Sequence, residues 1–293
     1  MENIEPAENF SAPLPKEKVI SNIPFPTPDN PPWNGWTAIG VWFASVLFIV
    51  IFPNLFLIPY LMAQKVDLSD GAKIVEFAQT DATAILLQLI SVIPAHILTL
   101  LLAWLVVTRY NKYSFRQVLG WKLGGFGIGY IIGVVFLFYV LAVTLTAVFG
   151  ERDNDFLQML KSSRAAVYLV AFFATFTAPM VEEVVYRGIL YSAFQRKVGV
   201  TYAVIIVTAL FALVHVPQYS KDFNPDLVTI SMICLLSLVL TLIRVRTGNL
   251  LPCIVLHTVF NGSQSILLIL QPYLEEMSRK PAEQAAFFFN FFK

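Results

Sequence analysis

Long apolar runs, separated by short polar segments, dominate the chain from Trp36 onward. About 20 consecutive apolar residues are needed for a helix to cross the ~30 Å hydrocarbon core of a bilayer. The runs predict membrane-spanning helices over residues 36–62, 83–107, 126–149, 165–194, 200–216, 227–243 and 250–270. Pro53 and Pro59 predict a kink or an early end in the first helix. The pattern therefore predicts an all-α polytopic membrane protein, a bundle of about seven to eight transmembrane helices.

The two ends of the chain lack this pattern. Residues 1–35 are rich in Pro, Asn, Glu and Ser, which predicts a disordered tail, and they lack the apolar core of a cleavable signal peptide. Trp33 and Trp36 are predicted to lie in the membrane interface. Residues 282–292 are too short to span a membrane, and their phenylalanines predict an interfacial element. We divide the chain into a Pro-rich tail, N-terminal transmembrane helices, core helices and a C-terminal interfacial tail, over residues 1–35, 36–164, 165–270 and 271–293 respectively.

Composition supports a membrane location. Only 13% of the residues are charged and 57% are hydrophobic, whereas soluble domains carry about 25% charged residues. The net charge of +1 gives no reason to expect a nucleic acid partner. Cys234 and Cys253 lie in apolar runs and are interpreted as buried residues rather than a disulfide. Lysine and arginine favour the loops on the side of the N-terminus, which predicts a multi-pass protein of the cytoplasmic (plasma) membrane with a cytoplasmic N-terminus.

Three charged side chains interrupt the fourth predicted helix. Glu182, Glu183 and Arg187 stand in an otherwise apolar sequence. An ionisable group in hydrocarbon costs about 2.5–3.5 kcal/mol on insertion scales, so such groups usually mark function. Glu183 and Arg187 are four residues apart, the favourable order for an ion pair. Glu182 points about 100° away, and we expect another helix or a water molecule to match it. A purely structural role for both glutamates is the alternative.

A histidine on the next helix is predicted to lie at a similar depth. Phe211 and His215 share one face of the fifth helix, which Pro217 ends. His215 lies roughly 24 Å, and Glu182 roughly 20 Å, from the turn at 195–199 that makes the two helices antiparallel neighbours. The matching depth predicts one shared site, although a lone histidine near a helix end is more often a packing or capping residue.

The last spanning helix carries a second polar pair. His257 and Asn261 are four residues apart and lie on one face of the helix. This pair predicts a functional partner in the interior of the bundle, and the alternative is that the two side chains make only structural interhelical hydrogen bonds. His96 has no polar neighbour on its helix and is interpreted as structural. Asp81 and Asp226 each precede a predicted helix and are expected to cap it.

Together these residues resemble the three motifs of a known family. The motifs are Glu182-Glu183-x-x-x-Arg187, Phe211-x-x-x-His215 and His257-x-x-x-Asn261. They are similar to those of the CPBP family of intramembrane proteases, which includes CAAX prenyl protease 2, bacteriocin-processing (Abi) and lysostaphin resistance protein A-like members. The resemblance covers residues 165–270, including the approach over 246–252 to the third motif.

The resemblance implies a helical fold with an intramembrane catalytic cavity that opens to the cytosol. It also implies endopeptidase activity near the C-terminus of a prenylated or otherwise lipophilic substrate. By motif match, Glu182 activates water, His215 holds that water or transfers protons, and His257 and Asn261 stabilise the oxyanion. The supporting residues implied by the match are Glu183, Arg187 and Phe211.

The sequence leaves the cofactor and two competing functions open. Glu182, His215 and His257 also match an open zinc site, but the chain has no His-Glu-x-x-His motif. We expect no cofactor, with Zn²⁺ as the alternative. The expected partners are the lipid bilayer and a membrane-associated peptide or protein substrate, without nucleic acid. The competing functions are a non-proteolytic immunity or scaffold protein on the same fold and a proton-coupled transporter. A transporter predicts internal repeats or broken helices, and no repeat is visible.

Overall fold

The structure, a computed structural model, describes residues 25–150, 156, 159–160, 163–221 and 224–291, and for 221, 275 and 277–291 the backbone alone. Helices dominate these residues. They are α1 (Gly35–Ala63), α2 (Gly71–Thr80), α3 (Ala82–Ile90), α4 (Val92–Thr108), α5 (Phe115–Leu119), α6 (Ile128–Phe149), α7 (Arg164–Val198), α8 (Val200–His215), α9 (Leu227–Thr247) and α10 (Leu251–Phe291). A 3₁₀ turn, Pro217–Tyr219, precedes two short antiparallel strands, β1 (Ser220–Lys221) and β2 (Asn224–Pro225).

Among the described residues, six helical spans are long and apolar enough to cross a membrane. They are α1, the continuous stretch of α3 and α4, α6, α7, α9 and the first part of α10, Leu251–Leu274. α8 is a shorter apolar helix of 16 residues. The all-α polytopic fold predicted from the apolar runs is therefore confirmed.

Some predicted details are wrong. α1 continues through Pro53 and Pro59 to Ala63, so it does not end early. Membrane helices tolerate proline because neighbouring groups and local adjustments satisfy the freed backbone. The backbone of α10 is helical to Phe291, so residues 282–291 are not a separate element, and their side chains and residue 292 lie outside the described residues. The apolar runs also do not predict α2 and α5, which have only 10 and 5 residues.

Two of the four hydrophobic clusters found among the described residues surround the candidate site. The first joins α1, α4, α7 and α8 and includes Ile189 and Phe211. The second joins α6, α9 and α10, where Phe138 and Phe260 pack edge to face with ring centroids 5.1 Å apart. Phe211 of the first cluster also faces His257 on α10, 6.1 Å between ring centroids. The clusters therefore meet at the polar residues of the candidate site.

The ends of the helices define two faces of the bundle. The N-terminal face carries the start of α1 and the turns at 195–199 and 247–250. A loop after α5 closes onto this face, because the Leu250 N–H donates to the Gly120 carbonyl at 2.8 Å. Gly120 has a φ of +78°, and a Cβ there would lie 2.9 Å from the Asn249 Cα. The opposite face carries the ends of α1, α6 and α8 and the starts of α3, α7 and α9.

Residues 25–34, the N-terminal segment, are fixed on the N-terminal face. Buried Arg244 of α9 bonds to the Asp29 carboxylate at 3.2 Å and to the Pro28 carbonyl at 2.8 Å. Arg196 of α7 donates to the Pro31 and Trp33 carbonyls at 2.9 and 3.0 Å. For residues 25–34 the predicted disorder is therefore wrong, because arginines from two helix ends bind their backbone. Residues 1–24 lie outside the described residues.

The two tryptophans at the start of α1 differ. Trp33 is only 4% exposed, and its indole N–H donates to the Ile189 carbonyl of α7 at 3.1 Å. The prediction of an interfacial Trp33 is wrong because α7 offers a buried acceptor. Trp36 is 75% exposed, as an interfacial side chain would be.

Candidate active site

α7, which carries the two glutamates, changes its hydrogen-bonding pattern twice. An α-helical turn, Ala178–Glu183, is flanked by two π-helical segments, Phe173–Thr177 and Val184–Leu190. π-Helical insertions are rare and occur frequently at functional sites. They alter which side chains share a face. Regular α-helical spacing therefore does not describe the whole of this helix.

Glu183 and Arg187 form the predicted ion pair in the interior of the bundle. Both side chains are fully buried, and the Arg187 Nη1 lies 2.9 Å from the Glu183 Oε1. α9 completes the arginine's shell: Nη2 donates to the Ser237 hydroxyl and carbonyl, and Nε to the Thr241 hydroxyl at 3.3 Å. A buried charge is tolerated when it is paired and hydrogen-bonded. Ser237 and Thr241 were not predicted, although two hydroxyls four residues apart on an apolar helix were the available signal.

His257 of α10 connects the two glutamates. Its Nδ1 lies 2.8 Å from the Glu183 Oε1. A carboxylate oxygen accepts, so Nδ1 carries the hydrogen in this contact. The other ring nitrogen, Nε2, then faces the Glu182 Oε2 at 3.8 Å. Glu183 therefore fixes the orientation of His257 and presents its Nε2 to Glu182.

His215 is oriented in the same manner by its own helix. Its Nδ1 lies 2.7 Å from the Phe211 carbonyl and donates to it. The His215 ring packs on the Phe211 ring, with centroids 4.7 Å apart. The Arg187 guanidinium also lies 4.7 Å from the Phe211 ring centre, within the range of a cation–π contact. Phe211 thus separates the buried arginine from the two histidines and holds both rings.

Asn261 lies one turn beyond His257, close to the first π-helical segment of α7. Its amide donates to the Ala174 carbonyl at 2.9 Å, which leaves its second N–H for a ligand. A second contact joins the same elements, the Thr175 hydroxyl donating to the Ser265 hydroxyl at 3.1 Å. α10 and the irregular part of α7 are thereby held in register.

A cavity of about 910 Å³ brings the four predicted catalytic residues together. Its wall includes Glu182, His215, His257 and Asn261. Glu182 keeps 25% of its side chain exposed, whereas Glu183 and Arg187 lie behind the wall. A cavity of this size fits a peptide segment or a lipid chain, because ligand pockets commonly measure about 300–1,000 Å³.

The wall also contains side chains that the sequence did not connect with the site. His96 belongs to it, and its Nδ1 contacts the Thr177 hydroxyl at 3.0 Å. His96 thus has a polar partner on α7, although none on its own helix. Tyr139 and Tyr219 line the same space. Nothing in their local sequence distinguishes these aromatic residues from others in the apolar runs.

The cavity lies toward the opposite face of the bundle. Thr146 near the end of α6, Gln218 beyond α8, Val228 at the start of α9 and Gln271 on α10 all line it. Two sequence-based expectations therefore exclude each other. If the N-terminal face is cytoplasmic, as the loop charges predict, the cavity does not open to the cytosol, as the family resemblance implies.

Comparison with known proteins agrees with this geometry. Residues 164–263 match the family model described as Type II CAAX prenyl endopeptidase Rce1-like. The match covers 100 of the 293 residues, and through this segment the chain is similar to the CAAX prenyl endopeptidases of that family. The matched segment contains Glu182, Glu183 and Arg187 of α7, both site histidines and Asn261. No curated protein and no solved structure matches the chain.

The family segment supplies most of the cavity wall, and helices outside it supply the rest. Within it, α7, α8, α9 and α10 carry the predicted site residues. His96 of α4 and Tyr139 of α6 lie before the match begins. The family match therefore covers the helices that carry the site residues, while the shape of the cavity also depends on the N-terminal helices of this chain.

The arrangement of possible ligands bears on the zinc alternative. Across the part of the chain that the structure describes, no group of three His, Cys, Asp or Glu side chains is arranged to hold a metal ion. His257 uses Nδ1 for Glu183, which leaves its Nε2 on the side of Glu182. Metal-ligating histidines usually donate their other ring N–H to a carboxylate, so this bond is compatible with either alternative, and the absence of a cofactor stays a prediction.

Proposed function

We propose that the protein is an intramembrane endopeptidase that hydrolyses a peptide bond near the C-terminus of a membrane-associated or lipidated substrate. The observation that carries this proposal is the division of the glutamate pair. Glu183 is buried in an ion pair, and Glu182 reaches the cavity beside the Nε2 of His257. A carboxylate in reach of bound water is a suitable general base.

In the proposed reaction, Glu182 accepts a proton from a water molecule whose oxygen attacks the scissile carbonyl carbon. His215, held by the Phe211 carbonyl through Nδ1, offers Nε2 as an acceptor that orients the water. The carbonyl oxygen becomes an oxyanion, and the second N–H of Asn261 is a suitable donor to it. When the C–N bond breaks, Glu182 returns the proton to the leaving amine, which balances the hydrolysis.

Comparative proteomics of membranes tests this proposal and does not require the substrate to be known. Cells produce wild type, Glu182→Gln, or Glu76→Gln, which alters an exposed glutamate of α2. We expect C-terminal cleavage fragments with wild type and with Glu76→Gln, and none with Glu182→Gln. Fragments that persist with Glu182→Gln would overturn the proposed role of Glu182. The absence of any wild-type fragment would favour the immunity or scaffold alternative.

A second experiment addresses the metal alternative. We expect the purified protein to keep its cleavage activity after treatment with a strong chelator. If chelation removes activity and zinc restores it, Glu182, His215 and His257 become ligands in a different conformation, and the general-base assignment fails.

A further inference from the structure

The hydrogen-bond donors of the site are fewer than its polar residues suggest. His257 donates through Nδ1 to Glu183, so its Nε2 is an acceptor in the neutral ring. His215 donates through Nδ1 to Phe211 and is likewise an acceptor at Nε2. Asn261 has already given one N–H to Ala174. A tetrahedral oxyanion is usually stabilised by more than one donor, so we expect a second hydrogen-bond donor in the cavity wall.

Tyr219 lines the same cavity and is rigidly placed. It ends the 3₁₀ turn that directly follows the helix of His215. Its N–H donates to the Val216 carbonyl at 3.2 Å, and its carbonyl accepts the Asp226 N–H at 2.8 Å. Its ring packs edge to face with Phe156, 6.0 Å between centroids. Backbone and ring are thus both held, which is what a preorganised donor requires.

The hydroxyl of Tyr219 differs from that of the other tyrosine in the wall. The Tyr139 hydroxyl is engaged with the Ser263 hydroxyl at 2.8 Å. Among the described residues, no hydrogen-bond partner is placed on the Tyr219 hydroxyl. Tyr219 is only half-buried, so its side chain remains accessible from the cavity.

The surroundings keep this phenol protonated. Burial, and secondly the carboxylate of Glu182, raise the pKa of Tyr219 to about 12. Tyr219 and Glu182 line the same cavity. A neutral phenol near a catalytic carboxylate is a hydrogen-bond donor throughout the physiological pH range.

We propose that Tyr219 is a further catalytic residue, whose hydroxyl donates a hydrogen bond to the oxygen of the scissile carbonyl and to the oxyanion that it becomes. This inference rests on the proposed endopeptidase function and adds a second donor beside Asn261. The phenol transfers no proton, so the proton balance of the hydrolysis is unchanged.

Kinetics of purified variants test the inference. The probe is an internally quenched peptide that ends in a farnesylated Cys-aliphatic-aliphatic-X sequence, chosen from the family match. Loss of one oxyanion donor lowers kcat by about 10²–10³-fold, so we expect a loss of this size for Tyr219→Phe with little change in KM. Tyr202→Phe is the matched control, because it removes a phenol hydroxyl from an exposed position of α8 outside the cavity wall, and its kcat should remain close to wild type.

The outcomes separate the two proposals. If wild type cleaves neither this peptide nor any membrane protein in the proteomic comparison, the proposed function fails, and the role of Tyr219 fails with it. If wild type cleaves the peptide and Tyr219→Phe keeps its kcat, or changes KM alone, only the role of Tyr219 is overturned.

A fluorinated tyrosine at position 219 gives a readout that a packing role would not move. Fluorination lowers the pKa of a phenol and keeps the ring. Because only the protonated phenol donates, the alkaline limit of kcat should shift to lower pH with the fluorinated residue. An alkaline limit that stays in place would contradict the proposal even if Tyr219→Phe does not fold.

Discussion

Glu182 and Glu183 are adjacent in the chain but lie in different surroundings. Glu183 is fully buried and shares one carboxylate oxygen between the Arg187 guanidinium and the His257 ring. Its other oxygen has no hydrogen-bond partner among the described residues, so the whole carboxylate is held by these two neighbours. Glu182 retains access to the cavity. Under the proposed function, Glu183 has the structural role and Glu182 the chemical role.

At the residue scale, we predict unequal effects of the two glutamine substitutions on stability. Glu183→Gln leaves the Arg187 charge buried without its counterion, which typically costs about 3–5 kcal/mol. Glu182→Gln removes a partly exposed partner of His257 and should change the free energy of unfolding by less than about 1 kcal/mol. Unfolding of the purified variants in detergent, followed by circular dichroism, measures both. Equal destabilisation by the two substitutions would contradict this division between the glutamates.

The residue-scale contacts were predictable where both partners lie on one helix. The spacing of four residues predicts the Glu183–Arg187 pair and the Phe211–His215 contact, and both are present. The hydrogen bonds from Arg187 to Ser237 depend on how α9 is rotated about its axis. The spacing of residues within α7 contains no information about that rotation. The catalytic roles remain predictions, because proximity alone does not establish them.

At the scale of elements, the loop after α5 fixes the start of α10. The Gly120 carbonyl accepts the N–H groups of Leu250 and Leu251, at 2.8 and 3.3 Å. α10 carries His257 and Asn261, so the position of this loop is transmitted to the site along a rigid helix. Gly120 is the residue that allows the close approach, since backbone atoms of Asn249 occupy the space of a Cβ.

Two glycines of this loop provide a matched pair of substitutions. Gly125 has a φ of +81° and open space where a Cβ would lie. Gly125→Ala should therefore lower the free energy of unfolding by about 1–2 kcal/mol, the cost of placing an alanine in a left-handed backbone conformation. Gly120→Ala has a similar backbone cost and adds a clash with Asn249, worth about 1–3 kcal/mol. We expect a lower thermal midpoint for Gly120→Ala than for Gly125→Ala. Indistinguishable midpoints would show that the loop moves away from α10 without cost.

The π-helical segments of α7 explain where element-level prediction stops. The apolar run from 165 to 194 predicts a helix, and a helix is present. Its hydrophobic pattern does not record the shift from one hydrogen-bonding register to another at Phe173 and again at Val184. Such a shift is set by packing against α1, α9 and α10, and therefore needs the assembled bundle.

At the scale of the whole molecule, the cavity and the N-terminal segment lie at opposite ends of the bundle. The loops of the N-terminal face carry Arg109, Lys112, Arg116, Lys122, Arg196, Lys197, Arg244 and Arg246. In the sequence, the loops of the other side carry Lys65, Lys73, Arg152, Lys161, Arg164 and Lys221. The bias favours a cytoplasmic N-terminal face. The side from which substrate enters follows directly from this orientation.

A pair of serine substitutions tests the orientation in intact cells. Ser69→Cys places an exposed thiol on the opposite face, and Ser114→Cys places one on the N-terminal face. The charge bias predicts that a membrane-impermeant maleimide labels Ser69→Cys in intact cells and Ser114→Cys only after permeabilisation. The parent chain, with Cys234 and Cys253 inside helices, gives the background. The reverse pattern would place the cavity mouth in the cytosol, as the family resemblance implies.

At this scale, the sequence predicted the positions of the membrane-spanning helices but not the ordered structure of the N-terminal segment. The length of each apolar run indicates which residues cross the membrane. A chain in hydrocarbon must satisfy its backbone N–H and C=O groups internally, and a helix does so. Residues 25–34 have a composition typical of disorder. Their order comes from arginines more than 160 positions away, which composition cannot reveal.

The attachment of the N-terminal segment has a consequence for biogenesis. Asp29 is synthesised 215 residues before its partner Arg244. At about 5–20 residues per second, translation separates the two by roughly 10–40 s. The contact between Asp29 and Arg244 therefore forms only after α9 has been synthesised, whereas Arg196 of α7 is available earlier. Full protection of residues 25–34 from protease would report that α9 has joined the bundle.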